Sequence, residues 1–279
     1  MMPGNLLSKR KKRVMSNNVK GLLSHEFDSF VNVWDRLADF EVANTDQALS
    51  FLLEVLCREL NAKNAYWLAA VRISQRDKKD PLYGWRPAAT VHLHKPERLA
   101  RLVKSKVKAL QTGKASESTR NHVREAGQFR VKTLAEHVSS TYFESEEYQE
   151  SYLAMGLSDS MWSILPVNQD CESYFCVQRG VGAEPFTAEE KQYMAMLIRG
   201  VRWFHRQLML SYGLLVAEHP ITASERRVVK ALLSGKSEHD IAAKLGWTKA
   251  TTHGYVTQVF RKFNVRGRAE FAALWLGNK

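Results

Sequence analysis

The chain has 279 residues, 44% hydrophobic and 25% charged, a length that suggests two domains and a composition that excludes wholesale disorder. Its longest apolar run, residues 65–71, falls far short of the roughly 20 residues that a spanning helix needs, and no apolar stretch follows the basic N-terminus, so transmembrane and secretory-signal readings are excluded. The net charge of +12 is unevenly placed: residues 1–20 carry +6, residues 219–279 carry +7, and residues 21–218 carry −1. A compact basic end on a neutral body points to nucleic acid as partner.

Residues 1–20, with KRKKR at 9–13, read as a disordered basic tail, the other reading being a nucleic-acid arm. Residues 26–40 space Phe27, Phe30, Val31, Trp34, Leu37 and Ala38 at threes and fours, as an amphipathic helix does. Thr45 is expected to cap a second helix, with Ala48, Leu52, Val55, Leu56 and Leu60 on one side. Residues 65–73 and 85–93 read as strands, separated by a loop at 75–84 that holds Asp80-Pro81. Residues 96–110 read as a helix with a very basic outer side. Residues 162–167 and 172–177 predict a hairpin around 168–170. Together these imply an α+β domain over 21–212, an antiparallel sheet with flanking helices. Its element order resembles a GAF or PAS-like sensor domain.

Thr187-Ala-Glu-Glu190 forms a capping box and opens a helix expected to run to about Leu210, roughly 35 Å at ~1.5 Å per residue. That helix is apolar on more than one side, so Met194, Ile198 and Trp203 are candidates for a homodimer interface. Residues 213–220, ending at Pro220, read as a linker.

The remaining residues, 221–279, predict an all-α domain of four short helices. Thr222-Ala-Ser-Glu225 is a capping box before Val228, Val229, Leu232 and Leu233. Ser237 caps a second helix carrying Ile241, Ala242 and Leu245, and Gly246 turns the chain. Thr248 caps a third helix, with Thr252, Val256, Val259, Phe260 and Phe263 on its core arc and Ala250, Gly254, Thr257, Gln258 and Arg261 opposite. A fourth follows Gly267, with Phe271, Leu274 and Trp275 inward. Two short helices around a Gly turn make a helix-turn-helix, and a small, polar, basic face suits a helix laid in a major groove.

Residues 220–276 resemble the LuxR/GerE-type helix-turn-helix of bacterial transcription regulators. The match runs through Thr222, Ser224, Glu225, Arg226, Val229, Gly235, Ser237, Ile241, Ala242, Leu245, Gly246, Thr248 and Thr251, then Lys262, Val265, Arg268, Ala269 and Glu270. The resemblance implies a four-helix DNA-binding domain that works as a dimer behind a regulatory domain. Thr252, Tyr255 and Phe263 depart from the family's usual Val, His and Leu. The family's base-reading positions fall on His253, Gly254 and Thr257, none of which makes strong bidentate base contacts. Lys249, Thr251, Arg261 and Lys262 read as phosphate contacts. With Thr248 and Gln258, these form the expected DNA-binding set.

The alternatives in the body are weaker. His92 and His94 share a strand face, where a solvated pair is expected rather than a metal site. Cys57, Cys171 and Cys176 make no metal or disulfide pattern, which suits a cytoplasmic location, and of the last two one is expected buried and one exposed. Tyr66, Trp67, Tyr83, Trp85, Tyr152, Trp162 and Phe175 are candidates for a ligand cavity or for plain core. Asp80-Pro81 lacks the aromatic spacing of an acyl-homoserine-lactone site. Catalytic motifs and receiver-domain acids are not found, so an enzyme is not expected. The expected function is a sequence-specific, DNA-binding bacterial transcriptional regulator acting as a homodimer on double-stranded DNA, with no cofactor and no membrane. Its N-terminal domain either senses a small molecule or is a ligand-free interaction module.

Overall fold

The computed structural model describes residues 27–73, 80–95, 115–215 and 221–277. The expected tail at 1–20 and the expected basic helix at 96–110 lie outside these residues. The chain divides into a unit ending at Asp39 and a unit beginning at Phe40. In the first, helix α1 covers 27–38 and buries Phe30, Val33 and Leu37. Val33 takes the buried place expected of Ala38, which is exposed, as is Phe27.

The second unit opens with α2 (Thr45–Glu59), which buries Ala48, Leu49, Leu52, Leu53, Val55 and Leu56. Thr45 is its first helical residue rather than its cap: the Thr45 hydroxyl donates to the Val42 carbonyl at 2.6 Å. Five strands follow: β1 (Asn64–Arg72), β2 (Trp85–His92), β3 (Arg130–Thr133), β4 (Leu157–Asn168) and β5 (Cys171–Gly180). They form one antiparallel sheet in the order β2-β1-β5-β4-β3. The hairpin expected around 168–170 is the β4–β5 turn, where the Asp170 amide donates to the Asn168 side chain at 2.9 Å. Before β2, the Asp80 carboxylate accepts from the amides of Leu82 and Gly84 and from Arg86, closing a turn.

The central strand β5 is buried along almost its whole length, so both faces of the sheet are covered. Side chains alternate between those faces. Tyr66, Cys176 and Trp162 stand in one row across β1, β5 and β4, and Trp67, Phe175 and Ser163 stand in the next row on the opposite side. This corrects the expectation of one exposed cysteine. Cys171 and Cys176 do face opposite sides, but each side is covered, and both are buried. The helices α3 (Glu117–Arg124), α4 (Leu134–His137) and α5 (Glu146–Ser151) come between β2 and β4 in the chain. Leu134 of α4 and Tyr148 of α5 pack in the Tyr66 side's core with Tyr142 and Tyr152.

The long helix expected from Thr187 is two helices, α6 (Ala188–Gly200) and α7 (Arg202–Ser211). They part at Val201, whose backbone leaves helical geometry at φ −104° and ψ 39°. Gly200 weakens the helix there by about 1 kcal/mol relative to Ala. The break is stabilised from below. His205 Nε2–H reaches the Ile198 carbonyl at 3.2 Å, and His205 Nδ1 meets the Ser173 hydroxyl at 2.7 Å, which itself accepts from Trp67 Nε1 at 2.8 Å. Burial holds His205 down to about 4, so the ring is neutral and this chain of bonds has one consistent direction. The residues expected at a dimer interface are not all at the surface. Met194 and Ile198 are fully buried within the chain, and of the three candidates only Trp203 is exposed.

The last helices are α8 (Ala223–Leu233), α9 (Glu238–Leu245), α10 (Lys249–Lys262) and α11 (Arg268–Ala273). Val228, Val229, Leu232, Ile241, Val256, Val259, Phe263, Phe271 and Leu274 form their shared core. No described helix is long and apolar enough to cross a membrane.

Candidate nucleic-acid interface and sheet face

The helix-turn-helix is set by local chemistry. Ser237 accepts from the Asp240 amide while Asp240 reaches back to the Ser237 amide, fixing the start of α9. Gly246 ends it in the left-handed region at φ 67°, where a Cβ would be strained. Thr248 then accepts from the Thr251 amide at 3.1 Å and starts α10. The inner face of α10 holds Thr252, Val256 and Val259. The buried Thr252 hydroxyl donates to the Thr248 carbonyl at 3.0 Å, so the place where the family has Val keeps no orphan donor.

Lys249, Ala250, Thr251, His253, Gly254, Thr257 and Arg261 lie exposed on the outer side, and Gln258 is half-buried. A Cβ added at Gly254 would meet nothing within 4 Å, so this surface is open around it. His253 Nδ1 lies 3.1 Å from the Glu238 carboxylate of α9. Tyr255 stacks on Trp247 at 4.6 Å, and Arg227 lies over the same Trp247 ring.

Lys262 behaves differently from the other expected contacts. Its ammonium donates to Glu225 Oε2 at 2.8 Å. Glu225 also accepts from the Thr222 amide and is almost fully buried. Burial pushes this carboxyl up, but the bonds from Lys262 and Thr222 outweigh it and hold it below its usual value. The Thr222–Glu225 box was visible in the sequence, but the lysine that completes it lies 37 residues on.

The sheet carries a second concentration of functional groups. Of the aromatic set picked from the sequence, Tyr66, Trp85, Tyr152 and Trp162 share the Tyr66 side. Trp67 and Phe175 lie on the other side, and Tyr83 is exposed. Trp162 Nε1 donates to the Tyr66 hydroxyl at 3.1 Å. Sequence reading missed the polar members. Arg130 pairs with Glu172 through two bonds of 2.8 and 3.0 Å, and Glu172 also accepts from the Tyr174 hydroxyl and the Gly127 amide. The His122 ring lies 3.9 Å from that of His137 and edge-on to Trp162 and Tyr174. Burial, with His137 and Arg130 adding to it, keeps His122 well below its usual value and neutral. Among the described residues neither nitrogen of that ring has a hydrogen-bond partner.

The His92 ring packs against Tyr66 at 4.9 Å, while His94 is exposed. Among the described residues no three His, Cys, Asp or Glu side chains gather as a metal site.

Comparison with known proteins matches residues 219–275 to GerE, the luxR family of bacterial regulatory proteins. An uncharacterized transcriptional regulatory protein of Bacillus subtilis, YvfU, is 26% identical over 77 residues, 28% of this chain. The chain spans 38% of that relative's length. Escherichia coli SdiA superposes with a TM-score of 0.46 at 15% identity, covering 90% of this chain and 97% of SdiA. The VqsR LBD domain from Pseudomonas aeruginosa gives 0.42 at 14% identity, covering 68% of this chain and 98% of that domain. The capped helices, the left-handed turn at Gly246 and the family match agree: residues 219–275 are a GerE/LuxR-family helix-turn-helix domain, joined to an α+β domain built on an antiparallel sheet.

Proposed function

We propose that the chain is a transcriptional regulator that binds specific double-stranded DNA sites through α10 and senses a small molecule on the Tyr66 side of its sheet. The observation that carries the DNA reading is the outer face of α10, exposed at Lys249, Thr251, His253, Gly254, Thr257 and Arg261. Thr248, Lys249, Thr251 and Arg261 suit phosphates, and His253, Gly254, Thr257 and Gln258 face base edges. Lys262 joins them only if it leaves Glu225, so it is the weakest member of the set.

The sensing reading rests on a wall of aromatic side chains with a half-buried, neutral His122 whose two ring nitrogens are buried and lack partners among the described residues. Such a group marks a place for water or a ligand's polar atom. A second reading, a ligand-free homodimerisation or interaction module, is favoured by Trp203 and Met196, exposed at 42% and 44%. The proposed domain limits remain 21–212 for the body and 221–279 for the DNA-binding part.

Genome-wide mapping of DNA bound by the chain tests the first half. Discrete bound sites sharing a sequence motif are expected, and binding without sequence preference would contradict it. A heat-melt screen with small molecules tests the second. A ligand raises the midpoint by mass action, whereas an interaction module responds to protein concentration alone.

A further inference from the structure

Arg226 and Lys230 lie one turn apart on α8 and belong to the basic end of the chain, yet both pair with one carboxylate of the body. Arg226 Nη2 and Lys230 Nζ each contact the carboxylate of Asp46, which sits in the first turn of α2. The Arg226 guanidinium also lies 3.7 Å from the centre of the Tyr212 ring, and its Nε donates to the Ser211 carbonyl at 3.2 Å. Tyr212 in turn packs on Trp67, a fully buried residue of β1, at 5.1 Å. At the far end of the helical domain, Arg206 of α7 donates to the Leu274 carbonyl at 2.8 Å.

We propose that Asp46, Tyr212 and Ser211 form an intramolecular docking surface whose occupant is the Arg226/Lys230 face of α8, a charge latch that holds the DNA-binding domain on the body as one unit. The surface fits its occupant in chemistry and shape. A planar guanidinium is clamped between an aromatic face, a carbonyl and a carboxylate, three things that an ammonium cannot engage together. The Arg226 side chain is only 16% exposed, whereas Asp46 and Lys230 are 42% and 32% exposed, so the seated guanidinium, more than the Lys230 pair, anchors the contact. Asp46 is held below its usual value although burial pushes the other way, because both cations stabilise its charged form. With the latch closed, the outer face of α10 stays exposed, so the latch orients the DNA-binding face without covering it. Tyr212 carries the contact down to Trp67 of the sheet.

The latch does not depend on what the chain binds, so it is tested without DNA. Full-length protein is compared as wild type, Asp46→Lys, and the swap Asp46→Lys/Lys230→Glu, which keeps Arg226 on Tyr212 and Ser211, by protease cleavage between the two domains and by small-angle scattering. Asp46→Lys should raise the cleavage rate about tenfold and increase the radius of gyration, a tenfold shift being one step of about 1.4 kcal/mol. The swap should return both toward wild type. Asp46→Asn removes the charge at nearly the same size and replaces Asp46→Lys if that variant fails to fold, with the same direction expected. Unchanged cleavage and radius in the single variants, or a swap that restores neither, would overturn the latch.

Discussion

The sheet domain and the helix-turn-helix treat charge in opposite ways. The sheet buries it: Glu172 of β5 and Arg130 of β3 are each wrapped in several hydrogen bonds, and His122, His137 and His205 are held neutral. The helical domain exposes Lys249, Arg261 and His253 and buries a single described acid, Glu225, answered by Lys262. A buried ion pair contributes little net stability over an apolar pair, but it is costly to half-remove. Charge in the sheet therefore fixes structure, while charge on α10 remains available to a partner.

The sharpest way to break this contrast is Glu172→Ala. It strips Arg130 of its buried carboxylate partner and the Tyr174 hydroxyl and the Gly127 amide of their acceptor, and should cost about 3–5 kcal/mol in urea unfolding of the body. A cost below 1 kcal/mol would show the pair to be dispensable. Acid comes next. His205 is neutral in the fold down to about 4, whereas in the unfolded chain it takes a proton below about 6.5. The unfolded state then binds more protons, so the stability tied to this histidine falls as pH drops from about 6.5 towards 4. Urea midpoints at pH 7.5 and 5 check the sign, and His205→Gln should flatten the change.

Lys262→Ala follows, at roughly 2 kcal/mol, because it strands the Glu225 carboxylate. Glu225 is depressed in the fold, so its contribution is complete above its ordinary value of 4.5 and is lost as pH falls through the lowered one. The variant should show less of that acid dependence in thermal melts of the helical domain. Gly254→Ala is the smallest effect and has the opposite sign. The added methyl meets nothing within 4 Å and removes helix-interior glycine, a gain of about 1 kcal/mol. If Gly254 serves close approach to DNA, the same variant binds duplex more weakly while melting higher.

The contrast also explains what could be read from the sequence. Helix starts depend on residues three apart, so the boxes at Thr187, Thr222 and Ser237 and the cap at Thr248 were all legible. So was the β4–β5 hairpin, whose turn is local. The rest depends on partners far along the chain. Arg130 and Glu172 lie 42 residues apart, and nothing near either announces the other. β3 has only four residues, too few to show alternation against its surroundings. The break at Val201 needs His205, and His205 needs Ser173 from the sheet, so periodicity alone continued the helix through it. For the same reason Met194 and Ile198 looked like surplus apolar surface until the fold covered them.

The most direct test of the DNA-reading face is to measure binding of the full chain to a randomised duplex library at several salt concentrations, as wild type, Arg261→Ala and Thr257→Ala. Arg261→Ala should weaken all sequences about equally and reduce the salt slope by about 1, as loss of one phosphate contact does. Thr257→Ala should change preference at particular base pairs and leave the slope nearly unchanged. Two variants that behave alike across the library, or that bind as wild type does, would contradict the assignment of the outer face of α10 to the groove.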